Sequence, residues 1–151
     1  MAEISIFDLA QRFIGVKEVP GHGDNPQVLA FLRLDNSWPE SDEVAWCSAF
    51  VNYIAWLLRL PRSKSLAARS WLSVGIPVAI QQAEKGDVVI LKRGKEPQPG
   101  PEVLKAQGHV GFFAAIDPAG DRIYVLGGNQ GNQVSVAPFP IKNILGIRRL
   151  G

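Results

Sequence analysis

Ile6, Leu9, Phe13 and Ile14 recur at helical spacing, and the pattern stops at Gly15, so a first helix is expected there. A Gly- and Pro-rich loop follows. Asn25 before Pro26 has the form of an N-cap with Pro at the first helical position, and Val28, Leu29 and Leu32 give the second helix its apolar stripe. After a second polar loop, residues 44–58 are apolar on nearly every side, the pattern of a helix buried in the middle of a domain. Cys47, Ser48 and Asn52 interrupt that run, which is shorter than the ~20 residues of a membrane span. Pro61 ends it, and residues 65–75 predict a short fourth helix or helical turn stopped by Gly75 and Pro77.

Beyond Gly86 the period changes. The runs "DVVIL", "HVGFFAAI", "RIYVLGG", "QVSVAPF" and "ILGIRRL" are short, rich in β-branched and aromatic residues, and separated by turn signals. Helices first and about five antiparallel strands second predict an α+β fold, with the N-terminal helices packed on a C-terminal sheet. Between the first two strands, "KRGKEPQPGPEVLKAQG" is too rich in Pro and Gly for a strand and reads as a surface loop.

Composition narrows the picture. A chain of 151 residues suits one domain spanning 1–151. Sixteen basic and 14 acidic residues leave a net charge of +2, too small to imply nucleic-acid binding, and Arg59, Arg62, Lys64 and Arg69 are expected on a solvated face. The single cysteine, Cys47, excludes an intramolecular disulfide. The start "MAEISIFDLAQRF" has early acidic residues and no signal-peptide pattern, so synthesis in the cytoplasm and any export by another route are expected.

The chemistry gathers around three residues. "DPAGD" (117–121) joins the second and third strands as a three-residue hairpin loop, which pairs Asp117 with Asp121 and sets His109 opposite Asn129. Opposed residues have Cβ atoms roughly 4.5–5.5 Å apart, close enough for an amide to hold an imidazole. Cys47 lies within about a turn of the start of its helix, where free N–H groups and the helix dipole favour a thiolate and, later, an oxyanion. If that helix packs on the sheet, Cys47 meets His109 in a thiolate–imidazolium pair oriented by Asn129, an arrangement suited to metal-free amide cleavage.

In that order, "EVAWCSAFVN", "ARSWLSVG", "GDVVILKRG", "GHVGFF" and "VLGGNQGN" resemble the CHAP (cysteine, histidine-dependent amidohydrolase/peptidase) superfamily, most of all its small single-domain phage-endolysin type. The likeness runs from about residue 16 to 150. It implies a papain-like α+β fold, a peptidoglycan substrate met in the periplasm or cell wall, and the roles of nucleophile for Cys47, base for His109 and third member for Asn129. Many CHAP enzymes carry an acidic residue at or near the third position; its absence here leaves open whether Gln130 assists Asn129. Trp46, Trp71 and Gln130 are the candidates for substrate contact. A monomer without stable membrane association is expected.

Three rival readings stand beside this one. Zinc on Cys47, His109 and His22 lacks any paired ligand spacing, and Asp24 alone is a poor calcium cage, so no metal and no cofactor is expected. A wall-binding module would use Trp38, Trp46, Trp56 and Trp71 as a carbohydrate platform, although mid-helix Trp56 reads as core. An interbacterial toxin would share the chemistry, and neither it nor the choice between amidase and endopeptidase is written in the spacing.

Overall fold

The computed structural model describes residues 4–19, 25–35, 46–93, 100 and 107–151. Helix α1 spans Ile6–Gln11, and its N-cap Ser5 accepts from the Asp8 N–H at 3.0 Å. Helix α2 spans Pro26–Arg33 behind Asn25, whose side chain accepts from the Gln27 N–H at 2.8 Å, as the Asn-Pro pair predicts. Helix α3, Cys47–Leu57, starts on the cysteine itself with Trp46 as N-cap residue. It ends in a left-handed residue, Arg59 (φ 57°), and the Leu60 N–H returns to the Ala55 carbonyl at 2.9 Å. The expected fourth helical segment is a 3-10 turn over Ala68–Ser73.

The strands are β1 (Ile76–Pro77), β2 (Val88–Lys92), β3 (Gly108–Ile116), β4 (Arg122–Gly127), β5 (Ser135–Pro140) and β6 (Ile144–Arg149). They form one antiparallel sheet in the order β1-β6-β2-β3-β4-β5, so the α+β expectation holds with six strands where about five are predicted. The extra strand is the two-residue β1, which exists by pairing with β6.

Alternation along β2, β3 and β4 divides the apolar side chains between the two faces. Val88, Ile90, Val110, Phe112 and Leu126 join the helices in the main core, around Phe31, Trp46, Phe50 and Ile54. Val89, Leu91, Phe113, Ile123 and Val125 form a second cluster with Ile147 and half-buried Phe139.

The hairpin turn is one residue off the expected register and then recovers. The Asp117 N–H donates to the Arg122 carbonyl, and Ala115 pairs with Tyr124. A bulge between Phe113 and Ala115 absorbs the difference, so Phe113 meets Val125 and Phe112 meets Leu126, as the three-residue loop predicts. Register toward His109 is thus right although the tip is not.

Several side chains sit elsewhere than expected. Arg69 is fully buried, donating to the Gln107 carbonyl at 2.9 Å and the Gly100 carbonyl at 2.7 Å, and Arg62 pairs with Asp35 at 2.8 Å. Trp56 is 47% exposed, because a helix that is apolar all round gives no sign of which side the core leaves uncovered. His22, Asp24 and Trp38 lie outside the described residues, as does the loop before His109 apart from Gly100 and Gln107.

Candidate active site

Cys47 lies at the start of α3 and His109 near the start of β3. Cys47 is the first residue of α3, and its Sγ is surrounded by the main-chain N–H groups of Cys47, Ser48 and Val110, all of which favour a thiolate. Val110 follows His109, so the thiol abuts the strand that carries the imidazole. Burial outweighs those N–H groups and pushes the thiol's pKa up; the Arg93 charge works in the opposite direction.

His109 is buried and stacked on Phe139, with ring centroids 5.2 Å apart and planes 24° apart. Burial lowers its pKa, Gln130 opposes this, and Arg93 adds to it. Both groups are therefore pushed toward their neutral forms at rest, where a preformed thiolate–imidazolium pair was expected. No hydrogen bond joins Sγ to the ring in this structure. Such bonds commonly tighten only around the substrate.

The imidazole's partner is Gln130, a correction to the expected Asn129. His109 Nε2 lies 2.8 Å from Gln130 Oε1. The amide cannot be turned around, since its Nε2 already donates to two carbonyl oxygens, Val125 at 3.0 Å and Ser135 at 2.8 Å. Oε1 is thereby the acceptor, His109 Nε2 carries the proton, and Nδ1 of the neutral ring keeps its lone pair. Gly127 makes room for this contact. A Cβ there would stand 2.5 Å from Gln130 Oε1 and 3.5 Å from His109 Nε2.

Asn129 misses the role because the chain has already left the strand. Gly127 is the last residue of β4, and Asn129 has φ 59°, so strand alternation no longer decides where its side chain goes. Half-buried, it lines a hollow beside His109 together with Gln130 and Phe139.

The tryptophans proposed for substrate contact belong to the scaffold. Trp46 is fully buried; its Nε1 donates to Glu18 at 2.6 Å, and its ring packs against Gly128, where a Cβ would stand 2.7 Å away. Trp71 is also fully buried and donates to Ser48 Oγ at 3.0 Å. Among the described residues, no three His, Cys, Asp or Glu side chains gather as a metal site would require. No described helix is long and apolar enough to cross a membrane.

With a cysteine at a helix start, a histidine at a strand start and an amide behind the ring, the comparison with known families is decisive. The CHAP domain family model matches residues 39–129, more than half of the chain, from before α3 through the end of the hairpin. The chain belongs to the CHAP-domain family. A search of curated proteins found no match. CHAP domains are in general cysteine- and histidine-dependent amidohydrolases or peptidases of the peptidoglycan-hydrolase type. The matched span contains Cys47 and His109, and it stops one residue before Gln130.

Proposed function

We propose that this CHAP protein hydrolyses an amide bond of bacterial peptidoglycan, with Cys47 as nucleophile, His109 as base and then acid, and Gln130 as the residue that positions His109. The observation that carries the reading is the locked Gln130 amide, which leaves His109 with its proton on Nε2 and a basic Nδ1. As Sγ adds to the carbonyl carbon, its proton passes to Nδ1. The oxyanion gains from the N–H groups at the start of α3, and the amine leaves with the proton from His109. Water, deprotonated by His109, then cleaves the thioester and regenerates the thiol. Neutral resting groups make this a general-base attack, with charge appearing only as bonds change.

The reading takes residues 1–151 as one catalytic domain acting as a monomer, with Asn129 at the rim of the site. Resemblance to the small phage type supports a role in lysis, and the same chemistry would serve a delivered toxin. Digestion of purified peptidoglycan by wild type and Cys47→Ala, with soluble fragments read by mass spectrometry, tests the proposal. Fragments made only by wild type are expected, at least about a thousandfold above the variant. Their new ends name the bond. Equal digestion by both proteins would remove Cys47 from the mechanism.

A further inference from the structure

The His109 ring also forms one wall of a hollow of about 340 Å³, bordered by Lys92, Arg93, Gln130, Pro138 and Phe139. Its place follows from strand register. Leu91 is opposite His109 and Lys92 opposite Gly108, so Lys92 and Arg93 leave β2 at the level where His109 enters β3. Among the described residues, neither cation makes an ion pair or a side-chain hydrogen bond, and no carboxylate lines the hollow. Arg62, Arg122 and Arg149, by contrast, each hold an aspartate.

Arg93 acts on both reacting groups. It favours the Cys47 thiolate and disfavours protonation of His109. The second effect opposes the imidazolium that must form before the amine can leave. A cation with no anion beside it among the described residues is a handicap there with an uncharged substrate and an advantage with one that brings its own anion.

We propose that Lys92 and Arg93 form a carboxylate subsite that selects peptides carrying a free carboxylate beside the cleaved amide, an inference that rests on the hydrolase reading above. In a peptidoglycan stem the fitting group is the α-carboxylate of D-glutamate, because the γ-linkage leaves it free in mid-chain with an amide bond on either side. The guanidinium can grip a carboxylate with two parallel hydrogen bonds while the ammonium adds a point charge. Pro138 and Phe139 give the hollow an apolar wall beside the two cations. A carboxylate seated there offsets the Arg93 charge felt by His109, so the substrate supplies part of the activation of its own base.

The test uses the peptide L-Ala-γ-D-Glu-L-Lys-D-Ala, C-terminally amidated, with the D-Glu α-carboxyl either free or amidated. Calorimetry on the Cys47→Ala protein reads binding without turnover, and wild type reads cleavage. The acid is expected to bind about tenfold more tightly than the amide, with a preference that shrinks as salt rises. In Arg93→Gln and Lys92→Gln, both changed at exposed or half-buried positions, the preference should fall toward one. Equal affinity for acid and amide, or no binding of either, overturns the subsite, and cleavage that depends on Cys47 would still leave the hydrolase reading in place. Acid preference without cleavage by wild type supports the subsite and overturns the hydrolase reading for these bonds.

Discussion

Gln130 shows how one side chain can fix the state of another. Its two N–H donors are spent on the Val125 and Ser135 carbonyls, so only its oxygen is left for His109. Gln130→Ala should reduce kcat/KM about a hundredfold, because the ring loses its fixed tautomer and orientation while the thiol and base remain. Gln130→Glu should not rescue it. A buried carboxylate facing two carbonyl oxygens cannot donate to them, and destabilisation of roughly 2–5 kcal/mol is expected, read as a lower urea midpoint. Activity at wild-type level in Gln130→Ala would show that His109 needs no partner. The sequence pointed to the imidazole and to an amide behind it, naming Asn129 and leaving open the help of Gln130, which makes the contact. Asn129 turns left-handed, a conformation that no pattern of apolar and polar positions records, and the turn hands the contact to Gln130.

At the scale of elements, α3 carries a buried polar network along an otherwise apolar helix. Ser48 Oγ donates to the Ser65 carbonyl at 2.6 Å and accepts from Trp71 Nε1 at 3.0 Å, while Asn52 Oδ1 accepts from the Lys64 N–H at 2.9 Å. This network ties α3 to the segment that follows it and keeps the helix start, with Cys47, in place. Ser48→Ala leaves the Trp71 donor unsatisfied and should cost about 1–3 kcal/mol, measurable by urea unfolding. A change below about 0.5 kcal/mol would mean that water replaces the hydroxyl. The three helices and five of the strands were legible because their apolar periods are long enough to read, as in α3 and β3. Strand β1 was not. Ile76 and Pro77 are both exposed and too few to alternate, and they become a strand through β6, about seventy residues further along the chain. Arg69 was misplaced for a related reason: a buried guanidinium facing the Gly100 and Gln107 carbonyls has the same sequence signature as a solvated one.

Across the whole molecule, buried Cys47 and His109 set a pH window for stability. His109 has its pKa lowered below the ordinary 6.5, chiefly by burial, so the unfolded chain binds its proton first as pH falls, and stability is lost from about 6.5 downward until the folded pKa is reached. Cys47 has its pKa raised above 9.0, also by burial, so the unfolded chain releases its proton first as pH rises, and stability is lost above about 9. Between the two limits neither group contributes a slope. Thermal unfolding across pH should show this plateau, and Cys47→Ala should flatten the alkaline side without altering the acid side. An unchanged alkaline side would place the thiol's pKa at its ordinary value.

The sheet order has a consequence for how the molecule is made. Strand β6, the last of the described strands, lies between β1 and β2, both earlier in the sequence. Until residues 144–149 are free to pair, β1 has no strand beside it and β2 has one open edge. The sheet that carries His109 therefore closes only once residues 144–149 have been made and are free to pair, and a chain that stops before them lacks the strand that joins β1 to β2.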